Sequence, residues 1–192
     1  MDIEHDQHLN GWAYWHGDLN AEILLIGQDF GDYAYYFAYD GLDDLKNGTN
    51  LNLTCLFREL GIRLGLSDDP NEEAKLHFTN AFLGVKRRGM AAPIKRSWYS
   101  GTAKKFIKPL IELVEPKIII AMGAKAYDVI SIIYSLEIKP LKDLVDSNPI
   151  LLPDGKKLFV VYHCSGLGIA NRAFNTQRED WRKIAKGLYP KV

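Results

Sequence analysis

Four short apolar runs, each ending in a polar cluster and separated by stretches of helical period, decide most of what this chain can fold into. They are EILLI at 22–26, LHFTN at 76–80, KIIIA at 117–121 and LFVVY at 158–162. Rich in Ile, Leu and Val and without strict polar alternation, they match strands covered on both faces. Between them, 51–64 sets Leu53, Leu56, Phe57, Leu60 and Leu64 on one helical face. Residues 102–114 repeat the pattern with Phe106, Ile107, Leu110, Ile111 and Val114, and further helices are expected over 124–134 and 177–188. This alternation predicts an α/β fold: a three-layer α/β/α sandwich around a central, mostly parallel four-stranded sheet. With 192 residues and no internal repeat or long linker, one domain is expected over 1–192, with 1–20 as a peripheral N-terminal arm.

In open parallel sheets, ligands bind beyond the carboxyl ends of the strands, so the residues after each run matter most. The first run leads to Gly27, Gln28 and Asp29, and the second closes on Thr79 and Asn80. The third leads to Met122 and Gly123, and the fourth to HCSGLGIANR at 163–172. Three of these four ends carry side chains able to hydrogen-bond or move a proton, which predicts a single pocket.

Common ligand motifs do not fit. GLGIAN (166–171) begins like a dinucleotide fingerprint but has Asn171 at its third glycine, and it follows the last strand. No G-x-x-x-x-G-K-[ST] occurs. His5, His8 and His16 lie among acids without a metal-ligand spacing, and His77 reads as a core residue within a strand. No metal and no cofactor are assigned. What remains is Asp29, Asn80 and His163. An Asn amide offers a donor beside an acceptor, matching the amide edge of a nucleobase. A His can donate to an oxygen gaining negative charge. A carboxylate can orient water or stabilise an oxocarbenium-like sugar. A nucleobase anion leaves more easily than an alkoxide, so one carboxylate and one donor can suffice. Taken alone, Asp29 reads more readily as a strand-end turn residue, and Asn80 as a residue that simply ends a strand.

The formal net charge of zero hides a segregation. Residues 1–45 hold ten acids and no Lys or Arg, whereas 84–108 holds eight Lys or Arg and no acid. That basic tract contains Trp98, Tyr99 and Phe106, the composition of a surface that holds phosphates while an aromatic stacks on a base. A solvated loop and helix face accounts for it equally well. No apolar stretch approaches a membrane span and the acidic start is not a secretory signal. Cys55 and Cys164 match no disulfide framework, so a reduced, cytoplasmic protein is expected.

Three motifs in order resemble the uracil-DNA glycosylase superfamily. GQDFG (27–31) is similar to the family's water-activating loop, G-Q-D-P-Y in its best-known branch. FTN (78–80) is similar to the strand bearing the uracil-reading Asn, and HCSGLGIANR to the H-P-S-P-L-S segment. The likeness extends over roughly 20–188. It implies base excision from DNA by a monofunctional glycosylase, acting as a monomer, with Asp29 and His163 catalytic and Gln28, Phe30, Phe37 and Asn80 on the substrate. Phe37 is the expected base-stacking aromatic, with Tyr33 and Tyr36 behind it. Ser165, Leu167 and Arg172 would meet DNA, Leu167 as a wedge, while Lys86, Arg87, Arg88, Lys95 and Arg96 would hold its backbone. Phe30 and Gly31 replace the family's Pro and its thymine-screening Tyr, Cys164 and Gly166 replace two prolines, and the cysteines of the iron–sulfur branches are absent. A relative that binds a nucleobase, nucleotide or nucleic acid without catalysis is the alternative.

Overall fold

The computed structural model describes residues 17–39, 46–65, 71 and 74–188. The histidines of the N-terminal arm and the first sixteen residues of that arm lie outside the described residues. Five strands form one sheet: β1 (Ile23–Gly27), β2 (Leu76–Asn80), β3 (Ile118–Met122), β4 (Ile150–Leu151) and β5 (Lys157–Val161), in the order β2-β1-β3-β5-β4. β1 pairs in parallel with β2 and β3, β3 in parallel with β5, and β4 runs antiparallel to β5 at the edge. All four expected strands are present within one residue at each end. The fifth, two residues long, is too short for a hydrophobic pattern to reveal.

Side chains alternate cleanly across the sheet, as a period of two requires. Leu24 and Ile26 of β1 join Ile119 and Ala121 of β3 and Leu158 and Val160 of β5 in one buried cluster. Ile23, Leu25, Ile118, Ile120, Phe159 and Val161 face the other way into a second cluster. Helices cover both faces. α1 (Tyr33–Ala38) and α2 (Gly48–Glu59) link β1 to β2, and α3 (Arg96–Thr102) continues through a π-helical turn (Ala103–Ile107) into α4 (Lys108–Val114). α5 (Ala124–Tyr134) and α6 (Leu141–Asp146) follow β3, and α7 (Gly166–Asn171) and α8 (Phe174–Leu188) follow β5. α3 to α6 supply the first cluster, and α2 and α8 the second. The three-layer sandwich is therefore as expected.

Three helices have boundaries that differ from the sequence reading. The helix expected over 51–64 runs instead over 48–59. Asn47 caps it by accepting from the Thr49 N–H at 2.8 Å. It stops because Gly61 takes φ +73°, letting the N–H groups of Gly61 and Ile62 bond back to Arg58 and Phe57. The helix expected over 102–114 starts six residues earlier, at Arg96, and widens over 103–107, where the Lys108 N–H reaches Ala103 O. That widening directly precedes Pro109, which has no N–H to give the helix ladder. The terminal helix begins at Phe174, three residues before the expected start.

The order β2-β1-β3 reverses the winding direction at β1. A crevice opens at such a switch point, at the carboxyl ends of the strands.

Candidate active site

A cleft of about 640 Å³ occupies that crevice. Gln28, Asp29 and Phe30 reach it from the end of β1, Asn80 from β2, and Met122 and Gly123 from β3. Tyr162, His163, Ser165 and Leu167 reach it from the segment after β5. The strand-end residues named from the sequence thus share one cavity, because parallel pairing in register aligns their ends. Gly27 lies opposite Asn80 and Ala121 next to Val160 in the ladder.

Asp29 serves both as a turn residue and as a cleft carboxylate. Its Oδ1 accepts from the Gly31 N–H at 2.8 Å, a local bond that closes the turn. Gly31 takes φ +86°, a conformation that favours glycine. Oδ2 accepts from Gln28 Nε2 at 3.0 Å. Lys86 Nζ lies 3.1 Å from both carboxylate oxygens, and the two side chains are only 6% exposed each. Lys86 also donates to the Met90 carbonyl. The backbone explains how Lys86 arrives: its N–H bonds Gly31 O at 3.2 Å and its carbonyl accepts from Tyr33 N at 2.7 Å. The loop after β2 is thereby laced to the loop after β1.

The Asn80 side-chain amide makes no hydrogen bond among the described residues, although it is half-buried in the cleft wall. It lies over Gly27 so closely that a Cβ there would collide with Asn80 Oδ1. Glycine at 27 is what gives the amide its place.

His163 accepts from the Ser165 N–H at its Nδ1, 3.1 Å away. A lone pair at Nδ1 puts the hydrogen of the neutral ring on Nε2, leaving that nitrogen as a donor. Burial holds the imidazole below its ordinary value, with the charge of Asp29 pulling weakly the other way. The segment after β5 is fixed from beneath: Asn52 Nδ2 bonds Cys164 O at 2.8 Å, and Cys164 Sγ donates to Thr49 O at 3.4 Å. Cys164 is fully buried, and its burial pushes the thiol up to about 12, so it is a core residue. Gly168 packs on the His163 carbonyl, where a Cβ would overlap it. Leu167, on the same short helix, projects 78% exposed at the cleft.

Other expected residues fall elsewhere. Phe37 is exposed on α1, its ring tilted against that of Tyr33 at 4.2 Å, and is not part of the cleft lining. Phe30 and Tyr36 do line the cleft, edge to face at 6.4 Å. Arg172 forms a fork on the buried Asp180 (Nε–Oδ2 2.5 Å, Nη2–Oδ1 2.8 Å) and lies 5.5 Å over the Tyr162 ring. A phosphate role for Arg172 therefore competes with an internal ion pair. Arg87 and Arg88 are exposed on the loop after β2. Lys86, expected to hold the nucleic-acid backbone with them, is instead buried against Asp29.

The basic tract also needs correction as a stacking surface. Half-buried Trp98 stacks on Phe82 at 5.7 Å against the edge of the core, and Tyr99 is buried in it. Burial chiefly, with the charges of Asp29 and Asp128, pushes the Tyr99 hydroxyl up to about 12. Phe106 is the aromatic of that tract left exposed, beside Lys104 and Lys105. His77 is a satisfied strand residue, its Nδ1 3.2 Å from Asp18 O.

A mostly parallel α/β sandwich with a cleft at its switch point belongs to the class of folds that bind ligands beyond the carboxyl ends of their strands. The family model of the uracil DNA glycosylase superfamily matches residues 14–185, and the chain belongs to that superfamily. Members of this superfamily generally hydrolyse N-glycosyl bonds in DNA. No curated protein matches the sequence. Among the described residues no helix is long and apolar enough to cross a membrane.

Proposed function

We propose that this protein is a monofunctional DNA glycosylase that removes uracil or a related damaged base, acting as a monomer in the cytoplasm and without a cofactor. The observation that carries the reading is the convergence of Asp29, Asn80 and His163 on one cleft, with the Asn80 amide left unengaged.

The target nucleotide leaves the base stack and enters the cleft. Asn80 offers its donor and acceptor to the amide edge of the base. Phe30 and Tyr36 flank the base as stacking surfaces, in place of Phe37. As the glycosidic bond breaks, its electron pair leaves with the base, and His163 Nε2–H donates to the oxygen that gains charge. Asp29 faces the positive sugar and orients the water that adds to C1′, whose proton ends on the departing base. Leu167 fills the vacated stack, with Ser165, Arg87 and Arg88 along the strand.

A non-catalytic reading has one observation in its favour: Gln28, Gly31 and Lys86 all engage the Asp29 carboxylate. A binding protein would hold a nucleobase through Asn80 and cleave nothing. Uracil-, hypoxanthine- and mismatch-containing oligonucleotides, single- and double-stranded, separate the two. The glycosylase releases free base from at least one and leaves an alkali-labile site. Retained binding with no release from any of them gives the binding protein.

A further inference from the structure

We propose that Lys86 is a positioning residue for the reaction, acting through Asp29 and not on DNA. This rests on the glycosylase reading of the cleft. The ammonium bridges both carboxylate oxygens at 3.1 Å, while Gly31 N–H holds Oδ1 and Gln28 Nε2 holds Oδ2. With donors on both sides of both oxygens, the carboxylate plane cannot turn without losing a charge-assisted bond.

Lys86 is itself held at three points. Its N–H and carbonyl join the loop 31–33, and its Nζ has the Met90 carbonyl as second acceptor. A lysine so buried and so engaged has little freedom to reach a phosphate, whereas Arg88, two residues on, is exposed. The two basic residues therefore divide the work. Arg88 belongs to strand affinity, and Lys86 to the geometry of the group that faces the sugar. Orientation of a reacting group is costly to lose, since a misplacement of about 1 Å can cost about 100-fold in rate.

The test is single-turnover base release together with equilibrium DNA binding over a range of salt, for wild type and variants. Lys86→Met is expected to lower the rate of the chemical step about 100-fold, with KM and the salt slope of binding within about twofold of wild type. Lys86→Arg, whose guanidinium also spans two carboxylate oxygens, is expected to recover most of that loss. In an Asp29→Asn background the Lys86→Met change is expected to cost less than about threefold more, because the two residues act as a unit. Arg88→Ala is expected instead to reduce the salt slope by about one phosphate contact. If Lys86→Met fails to fold, Lys86→Gln takes its place in the same cycle.

Wild-type rates in Lys86→Met, a faster reaction, or losses that add fully to those of Asp29→Asn would overturn the role. So would a reduced salt slope with an unchanged chemical step, which would make Lys86 a phosphate contact. No release by the wild-type protein would instead overturn the glycosylase reading and this role with it.

Discussion

The Ser165 backbone N–H points at Nδ1 of His163 from 3.1 Å, so a main-chain group sets which ring nitrogen carries the hydrogen. The bond is local, two residues along the chain, and it survives any substitution of the Ser165 side chain except proline, which has no N–H. Nitrogen-15 NMR of the imidazole is expected to show the Nε2–H tautomer at neutral pH. It is also expected to show protonation only below the ordinary histidine value of 6.5, since burial disfavours the cation. A dominant Nδ1–H form would remove the donor assigned to the departing base.

The same depression has a consequence for stability. His163 and His77 are both held below 6.5 by burial. The unfolded chain then takes up protons at a higher pH than the native one. Stability from these groups is complete above pH 6.5 and is lost as pH falls through their depressed native values. Urea midpoints measured from pH 7.5 to 5 are expected to fall on acidification. His77→Gln and His163→Gln are each expected to flatten that slope.

Gly27 is expected to be intolerant of a single methyl group. Alanine there would meet Asn80 Oδ1 and push the amide from its place over β1. Displacement of a base-reading group by about 1 Å predicts a fall in kcat/KM of about 100-fold. Thermal unfolding should change little, because the group that yields is a side chain with no other hydrogen bond among the described residues. A larger loss of stability than of activity would show that the strand, and not the amide, had moved.

Arg172 separates a phosphate contact from a structural clamp. Its partner Asp180 is 2% exposed, with Lys183 as the more distant second cation at 3.5 Å. Removing one member of a buried pair typically costs about 3–5 kcal/mol, and the partial exposure of Arg172 brings the expectation to the bottom of that range or just below it. Arg172→Met is therefore expected to destabilise by about 2–3 kcal/mol in urea unfolding. The salt dependence of DNA binding by the folded variant should be unchanged. A lowered salt slope with native stability would restore the phosphate role.

Much of this architecture is legible in the sequence because burial on both faces leaves an unmistakable mark. β1 is apolar throughout and β5 from Leu158 onward, and their ends predict where Asp29 and His163 emerge. Once the strands pair in parallel, Asn80 must lie beside Gly27. What the pattern could not carry is contact between loops. Lys86 sits among exposed basic residues in the chain, and contacts with the loop after β1, its backbone bonds to Gly31 and Tyr33 and its ammonium on Asp29, hold it inward. Trp98 and Tyr99 precede the helical period that begins at residue 102, so no pattern in the sequence announces their packing on Phe82. Phe37 was drawn to the site by its neighbours, yet α1 turns it outward while Tyr36 of the same turn goes in.

In the proposed reaction everything turns on Asp29 acting on the sugar of an extruded nucleotide. Base release from a uracil-containing oligonucleotide, compared between wild type and Asp29→Asn at equal DNA occupancy, tests it most directly. Free base is expected from the wild type, with a loss of about 100-fold or more in Asp29→Asn and DNA binding retained. Equal release by the two proteins would contradict it.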